Sequence, residues 1–361
     1  MRILIFATHH GDYSIELGAT LARRSRVTVL MDEGQAKNDC GPEQIEAFSK
    51  VGSFRIFSSR TILRLKSTLT VLGAVLTLRP DLVIAHAHYG PFTLFLQKLL
   101  SRFCPIYLIV HDPAPHTGRD AEVSSKSARL DRQGRELASV FLVHGAFCAG
   151  QLRDTGVVGD RSIVSVPHGP ILRPETRTAP VDPPFVLMFG RMEAYKGLDV
   201  LLAACQRLAA RGTPIRCKLM GRGAELERLK TAFEAAGAEV VCAFIPRNAA
   251  IQALREASAV VAPYTEATQS GVVAAAFAAG RPIVASAIGG LVDFIQDGEN
   301  GLLVPANDPD ALADALHRIT TDPALWRRLA AGAQATATGA ISWERFAEAI
   351  YATAAARSGR A

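Results

Sequence analysis

The chain has 361 residues, of which 49% are hydrophobic, and it carries a formal net charge of +6. This length exceeds what one hydrophobic core usually holds, so we expect two domains of about 150 to 180 residues. No apolar run approaches the roughly 20 residues that span a bilayer, and residues 69–78 are predicted to form a core helix. The apolar run in residues 1–10 is too short for a signal peptide and predicts a first strand.

The cysteines exclude a disulfide framework. Several of them fall within predicted strands or helices, and their spacing shows no pairs typical of zinc sites. Free, buried thiols in a reducing cytoplasm explain them best, and we expect a cytoplasmic protein. The six positions are Cys40, Cys104, Cys148, Cys205, Cys217 and Cys242.

Most of the net positive charge lies in residues 1–170. Such asymmetry is typical of attraction to an anionic membrane surface, although scattered solvated charge explains it equally well. Nucleic acid is a poorer fit, because no basic run is interleaved with stacking aromatic residues. The basic residues closest together in sequence are Arg23, Arg24, Arg26, Arg60, Arg64 and Lys66.

Strand and helix patterns alternate through the first half of the chain, which predicts a parallel, doubly wound sheet. Helical patterns lie between the strands, notably at residues 15–24 and 91–102. A proline-rich stretch, 173–184, is the predicted linker, so the first domain is expected at residues 1–172. The predicted strands are 3–6, 27–31, 82–85, 106–110, 140–143 and 163–166.

A second alternation follows the linker and predicts a second sheet domain at residues 185–340. Two such domains joined by a hinge are expected to enclose a ligand cleft. Asp308-Pro-Asp310 begins a long helical stretch, where an aspartate is typical as an N-cap rather than as a metal ligand. The predicted strands are 185–189, 215–220, 240–243, 259–262, 283–285 and 302–304.

The loop 190–197, Gly-Arg-Met-Glu-Ala-Tyr-Lys-Gly, connects a predicted buried strand to a helix. It therefore lies at the carboxyl end of a strand, where open α/β sheets bind ligands. Arg191 and Lys196 stand beside glycines that allow close approach to the backbone, an arrangement suited to a diphosphate. An ordinary strand-to-helix turn with solvated basic residues is the alternative.

A polar run at 268–271 precedes a small-residue helix at 272–279. The free N–H groups of a helix N-terminus favour an anion, which makes Ser270, Gly271 and Val272 candidate diphosphate contacts. Close packing also explains the small residues, and the two interpretations are compatible.

Four stretches, 189–202, 219–225, 276–286 and 288–304, together resemble glycosyltransferase family 4. The resemblance implies a retaining, nucleotide-sugar-dependent enzyme of α/β class with the GT-B fold. In that fold two Rossmann-like, doubly wound parallel-sheet domains face each other across a cleft. A C-terminal helix, here residues 341–361, crosses back to pack on the N-terminal domain, with Trp343 and Phe346 as its expected apolar anchors.

The resemblance assigns Arg191 and Lys196 to the donor diphosphate and, by position, His111 to the donor sugar. A general-base role for His111 is the less favoured alternative. Glu266 stands near the first of two acidic positions typical of the family. The second falls on Ala275 or its alanine neighbours, so ribose recognition must come from elsewhere.

The remaining candidates follow other predicted strands. The family usually has a glycine-rich loop beside the diphosphate after the first strand, and here Gly11 alone fits it cleanly. Gly221, Phe244, Ile245 and Gln269 are expected near the nucleotide, with Arg222 as a further phosphate contact. Candidates for the acceptor side are His10, Asp12, His86, His88 and His116, with Arg119 beside them.

Together these features predict a metal-independent enzyme that transfers a hexose from a UDP- or GDP-linked sugar to a saccharide or lipid-linked saccharide. Polysaccharide or cell-surface glycan synthesis, including exopolysaccharide, is the expected setting, with peripheral association at the inner membrane face. Two alternatives stay open: a non-catalytic nucleotide-sugar-binding subunit, and a GT-B hydrolase or epimerase. An oxidoreductase is disfavoured, since the first strand is not followed by a dinucleotide-binding glycine fingerprint.

Overall fold

The computed structural model of the protein describes residues 1–87, 90–114, 119–172 and 182–359. The chain folds into two compact units. Of the described residues, the first contains those within 1–114, 120–167 and 343–359, and the second contains those within 168–342.

The first unit is built on a seven-stranded parallel sheet with the order β3-β2-β1-β4-β5-β6-β7. Its central strands are runs of Val, Ile, Leu and Phe that are buried over their whole length, as expected for a sheet covered on both faces. The strands are β1 (Arg2–Ala7), β2 (Arg26–Asp32), β3 (Ser53–Phe57), β4 (Leu82–His86), β5 (Ile106–Val110), β6 (Val140–His144) and β7 (Ser162–Val166).

Helices connect these strands in the alternation expected for parallel pairing. They are α1 (Gly11–Leu21), α2 (Glu33–Asn38), α3 (Pro42–Ser49), α4 (Arg64–Leu78), α5 (Pro91–Leu100), α6 (Arg119–Glu136) and α7 (Gly145–Asp154).

The second unit contains a six-stranded parallel sheet with the order β10-β9-β8-β11-β12-β13. Its strands are β8 (Phe185–Arg191), β9 (Arg216–Arg222), β10 (Glu239–Cys242), β11 (Ala259–Ala262), β12 (Ile283–Ser286) and β13 (Gly301–Val304). Its helices are α8 (Leu198–Ala210), α9 (Ala224–Ala235), α10 (Arg247–Glu256), α11 (Gly271–Ala278), α12 (Pro309–Thr321) and α13 (Pro323–Thr338).

The predicted fold class, two doubly wound parallel-sheet α/β domains, is confirmed, and every predicted strand is present. The sequence analysis missed β3, an edge strand that is mostly exposed or half-buried. Its pattern, Ser-Phe-Arg-Ile-Phe, lacks the continuous apolar run that marks a buried parallel strand. Residues 168–172, which we assigned to the first domain, belong to the second unit. Most of the predicted linker, 173–181, lies outside the described residues.

Helix α4 is not the core helix that its apolar sequence predicts. One face, including Val71, Val75 and Leu78, is buried against the sheet. Leu69 and Leu76 on the other face are 61% and 69% exposed. Since apolar residues lie on both faces of this helix, periodicity could not tell which face would be covered.

Asp308 has the capping role that its position predicts. Its carboxylate accepts the backbone N–H groups of Asp310 and Ala311 at 3.1 and 2.9 Å, which starts helix α12. The neighbouring Asp310 forms an ion pair with Arg207, 2.8 Å away.

The last helix, α14 (Trp343–Ser358), packs on α1 of the first unit. Trp343 and Phe346, the two expected anchors, are 1% and 0% exposed. The Trp343 ring stands edge-on to the ring of Tyr13, with centroids 4.7 Å apart. On the surface, Arg23 and Arg24 form ion pairs with Glu344 and Glu348 of α14. These two cations therefore hold the helix and do not form a free basic surface.

We expect Trp343→Ala to lower the free energy of unfolding of the first unit by about 3 to 5 kcal/mol, because it empties a fully packed aromatic site. Urea denaturation followed by circular dichroism measures the change. In Glu344→Gln the exposed ion pair is lost and the packing is kept, so its cost should stay below about 1 kcal/mol. Equal effects of the two substitutions would contradict this account of how α14 is held.

Candidate active site

The loop after β8 is shaped by two glycines that no other residue could replace. Gly190 and Gly197 have φ angles of 109° and 70°, in the left-handed region that favours glycine. A Cβ at Gly197 would lie 1.8 Å from the carbonyl oxygen of Pro263. The loop that carries Lys196 is thereby seated directly on the end of β11, and the N–H of Thr265 donates to the carbonyl of Tyr195 at 2.8 Å.

Lys196 is held beside the start of helix α11. Its ammonium nitrogen lies 3.7 Å from the centroid of the Tyr264 ring, and the Tyr264 hydroxyl is 3.5 Å from Ser270 Oγ. On the neighbouring side, a Cβ at Gly190 would lie 3.7 Å from Val272 Cγ2. Arg191, the exposed last residue of β8, follows Gly190 directly. The structure therefore brings the predicted cationic loop, 190–197, close to the N-terminus of α11 in the second unit. We refer to residues 270–272 at this N-terminus as the mouth of α11.

The first turn of α11 has no side-chain cap. Ser270 is its N-cap residue, and its side chain makes no capping hydrogen bond. Gly290 packs against the preceding segment so closely that a Cβ there would lie 1.8 Å from the Thr268 carbonyl oxygen. A first turn that its N-cap side chain leaves uncapped, with Gly271 and Val272 at its start, offers N–H groups and a positive dipole end that favour an anion.

The predicted nucleotide contacts separate into two groups. Phe244 is 63% exposed, and the Arg222 guanidinium lies 5.6 Å from its ring centroid, so the two form an accessible flat surface. The side-chain oxygen of Gln269 is buried, and it has no hydrogen-bond partner in the described structure. Ile245 instead packs on the hydrophobic core, and Gly221 is required because a Cβ there would meet the Gly190 carbonyl at 1.9 Å.

Glu266 is half-buried in the loop after β11. The position expected for a second acidic residue is structural, because Ala275 is 2% exposed and belongs to the core of the second unit. A carboxylate there would be buried among apolar side chains, at a cost of several kcal/mol.

In the first unit, three adjacent strands end in a row of histidines. His86 is the last residue of β4, His111 follows β5, and His144 is the last residue of β6. Because the strands are parallel neighbours, the three rings meet at one edge of the sheet. We refer to His86, His111 and His144 as the histidine row; they are 1%, 6% and 0% exposed.

Continuous hydrogen bonds join the histidine row. His86 Nδ1 is 3.0 Å from His111 Nε2, and His111 Nδ1 is 3.2 Å from His144 Nε2. At the two ends, His86 Nε2 is 2.9 Å from Ser14 Oγ and His144 Nδ1 is 3.4 Å from the Val166 carbonyl oxygen.

Both ends of the row meet a backbone carbonyl, which can only accept. His144 Nδ1 faces the Val166 carbonyl, and the Ser14 hydroxyl donates to the His10 carbonyl at 3.0 Å. Burial, with a smaller contribution from His9, lowers the pKa of His86 to about 3, so this ring stays neutral at ordinary pH. Both nitrogens of the His111 ring are occupied by other histidines.

The other candidates after the first strand are placed around this row. His10 adopts a left-handed conformation (φ 54°), and its ring centroid lies 4.1 Å from that of His111. Asp12 lies in the first turn of α1, where Oδ1 accepts the N–H of Tyr13. The N–H of Gly11 donates to Asp39 at 3.3 Å, and a Cβ at Gly11 would lie 3.0 Å from Cys40 Sγ. Gly11 is therefore closely packed, and its contact with the donor diphosphate stays a prediction.

His88 and His116 lie outside the described residues, and the side chain of Arg119 is likewise not described. Two members of the hydrogen-bonded chain were missed by the sequence analysis. His144 carries the same signal as His86 and His111, a histidine that closes a buried strand, and could have been found by it. Ser14 lies within a helix and carries no comparable signal.

Comparison with known proteins adds independent evidence. Residues 183–322 match the family model described as "Glycosyl transferases group 1". The chain is 35% identical over 202 residues to D-inositol 3-phosphate glycosyltransferase from Nocardioides sp., which covers 49% of this chain and 44% of that relative. A relative of the same name from Xylanimonas cellulosilytica is 35% identical over 188 residues, again with 44% of its length covered. The chain thus spans less than half the length of these curated relatives.

Solved structures extend the fold match to both units. Sucrose-phosphate synthase from Thermosynechococcus elongatus aligns over 100% of both chains, with a TM-score of 0.74 and 19% identity. Anabaena Alr3699/HepE in complex with UDP-glucose aligns over 99% of this chain and 100% of its own, with a TM-score of 0.70 and 18% identity. These likenesses show the GT-B fold over both units, and residues 183–322 are similar to the group 1 glycosyl transferases. The family-model match includes the cationic loop and the mouth of α11.

We expect the histidine row to make the first unit acid-sensitive. The unfolded His86 binds a proton near its ordinary pKa of 6.5, whereas the folded ring resists protonation until about pH 3. The stability that depends on the neutral ring is complete above pH 6.5 and declines as the pH falls. Between pH 7 and pH 5 this amounts to about 2 kcal/mol in the free energy of unfolding.

Urea denaturation at the two pH values measures this loss in the wild type and in His86→Gln, which has no group that titrates at this position. The variant should lack the loss attributed to His86, and the control His317→Gln, in helix α12, should retain it. If His86→Gln lost as much unfolding free energy between pH 7 and pH 5 as the wild type, the assignment to His86 would be contradicted.

Proposed function

We propose that this protein is a retaining glycosyltransferase that transfers a hexose from a UDP- or GDP-linked sugar to a saccharide or lipid-linked saccharide acceptor. The observation that carries the proposal is the corner where Lys196, Tyr264 and Ser270 lie together beside the family-like Arg191. Structures of Alr3699/HepE with UDP and with UDP-glucose support a nucleotide-sugar donor for this fold.

The proposed chemistry is stabilisation of a leaving diphosphate. As the bond between the sugar and the phosphate breaks, negative charge grows on the diphosphate oxygens. Arg191 can donate two parallel hydrogen bonds to them, while Lys196 contributes a point charge. The N–H groups at the start of α11 add donors that need no rearrangement at the moment of reaction. We propose that these groups suffice without a divalent metal.

His111 is proposed to steady the positive charge that develops on the sugar. Both of its ring nitrogens already bond within the histidine row, so the ring has no nitrogen left to accept a proton from an acceptor hydroxyl. We therefore favour its backbone carbonyl for this role over general-base catalysis. Glu266 is proposed to bind the donor sugar, and Gln269 with Phe244 to bind the nucleoside.

The proposed setting is a cytoplasmic enzyme of polysaccharide or cell-surface glycan synthesis that associates peripherally with the inner membrane face. The buried alanine at the second acidic position favours one alternative, a nucleotide-sugar-binding subunit without transferase activity. A GT-B hydrolase or epimerase is the remaining alternative. Turnover measurements separate the three.

We expect Arg191→Ala and Lys196→Ala each to lower kcat/KM for transfer at least tenfold, because each removes a charge-assisted hydrogen bond of about 1.5 to 3 kcal/mol. The assay follows release of nucleoside diphosphate with a panel of saccharide and lipid-linked acceptors, in the presence of EDTA. Lys230→Ala, which removes an exposed cation of α9, is the matched control and should keep the wild-type rate.

Unchanged rates in both variants would overturn the proposed site. Nucleotide-sugar binding without turnover would instead identify a binding subunit, and release of free sugar without acceptor would identify a hydrolase. Activity that EDTA abolishes would refute the metal-independent mechanism.

We further expect one nucleotide diphosphate, UDP or GDP, and its sugars to raise the melting temperature, since a ligand at 100 times its Kd stabilises a protein by about 2.7 kcal/mol. A thermal-shift panel of UDP, GDP, ADP and their sugars identifies the base. Lys196→Ala should reduce the shift and Lys230→Ala should keep it. A stabilising nucleotide whose shift is untouched by Lys196→Ala would place its site elsewhere.

A further inference from the structure

Helix α4 and the turn before it present an apolar stripe to solvent. The stripe consists of Ile62, Leu65, Leu69 and Leu76, which are 91%, 76%, 61% and 69% exposed. Their spacing of three, four and seven residues places them on one side of the helix. The opposite side, with Val71 and Val75, is buried in the core of the first unit. Because the opposite face of α4 is packed in the core, the apolar stripe faces solvent.

All the charged side chains in the surrounding segment are basic. Residues 47–80 contain no aspartate or glutamate, and their six cations are Lys50, Arg55, Arg60, Arg64, Lys66 and Arg79. In the described structure Arg55, Arg60, Arg64 and Lys66 form no ion pair. Arg64 lies over the ring of Phe92, at 5.3 Å from its centroid, which leaves its charge in place. A hydrogen bond from Lys37 lowers the pKa of Glu33, and Arg60 adds to this effect without pairing with it.

A polar pocket opens beside the last turn of α4. It has a volume of about 300 Å³ and is lined by Arg26, Lys50 and Arg55 together with the hydroxyls of Thr28 and Thr77. No carboxylate lines it. Lys50 is already paired with Glu46 at 3.1 Å, whereas no ion pair is described for Arg26 or Arg55. A phosphate group in the pocket would balance the charges of these two arginines.

We propose that the apolar stripe and its basic surroundings form the surface by which this protein docks on an anionic lipid bilayer. This inference rests on the membrane association proposed above and assigns it to one element. Helix α4 would lie in the plane of the interface, with its leucines among the acyl chains and its cations among the lipid phosphates. The polar pocket would receive one phosphate headgroup.

Two observations favour this occupant. Residues 61–78 have a mean hydropathy of 1.4 and are long enough to cross a bilayer, but 28% of the segment is buried inside the folded unit. Crossing would require the buried face to leave the core, so the helix lies on the membrane and does not span it. A second copy of the chain, docked by a two-fold axis through this surface, would bring both sets of cations together.

The test is co-sedimentation of the whole protein with phosphatidylcholine vesicles, with and without about one quarter phosphatidylglycerol. We expect binding to the anionic vesicles, weakening with added salt. Leu65→Gln/Leu69→Gln/Leu76→Gln should weaken it at least about tenfold, because its apolar area no longer enters the lipid. Arg60→Gln/Arg64→Gln/Lys66→Gln should weaken it about 100-fold, since each basic side chain contributes roughly fivefold near an anionic surface.

Two controls match these variants. Phe244→Gln replaces an exposed apolar side chain of the second unit by an amide, as the stripe variant does on α4. Arg318→Gln/Arg327→Gln/Arg328→Gln removes three positive charges from helices α12 and α13, as the basic variant does around α4. Both should bind vesicles as the wild type does. Melting temperatures of all variants establish that they are folded, and sedimentation velocity reports their oligomeric state.

Equal binding to neutral and anionic vesicles, or no loss in the stripe variant, would overturn the proposal. So would a stripe variant that only converts a dimer into a monomer, because the surface would then join two copies. Vesicle binding is measured without donor or acceptor, so it can fail while transfer to a soluble acceptor persists, and the reverse also holds. The two proposals are therefore tested separately.

Discussion

The parallel direction of both sheets is the constraint on which the candidate sites depend. Strands that run the same way all end at one edge, and there the chain must turn into a loop or a helix start before it crosses back. His86, His111 and His144 come together because three neighbouring strands end at the same level. Lys196 and Ser270 come together in the second unit because β8 and β11 are neighbours in its sheet. The common direction of the strands thus brings residues that are far apart in sequence to one place.

Close contact between backbone segments then fixes the positions of the cationic loop and the mouth of α11. At Gly197 and Gly290 the absence of a side chain lets one loop rest directly on the carbonyl of another, Pro263 in one case and Thr268 in the other. These contacts leave the cationic loop and the mouth of α11 little freedom to rearrange. Rigid placement matters for an anion site, because charges that are already in position stabilise a leaving group without further ordering.

The polar groups at the strand ends of the first unit are arranged differently from those of the second unit. The histidine row is buried, and its hydrogen bonds extend from Ser14 Oγ to the Val166 carbonyl. These bonds link the ends of three neighbouring strands and so hold the His111 segment in one arrangement. At the far edge of the same sheet, α4 contributes one face to the core and leaves the other apolar face in solvent, surrounded by cations. One domain therefore combines a buried hydrogen-bonded row with the surface that we propose docks on lipid.

The sequence by itself determined the alternation of strands and helices, the two-domain α/β class and the cationic loop with its glycines. These depend on local periodicity and on residue types whose conformational needs are strict. Only the tertiary structure decided that His144 and Ser14 complete the histidine row and that Ala275 is core. It alone decided that Arg23 and Arg24 pair with α14, and which face of α4 is covered. Each of these outcomes depends on partners distant in the chain, and a sequence pattern records what a residue can do but not which neighbour it will meet.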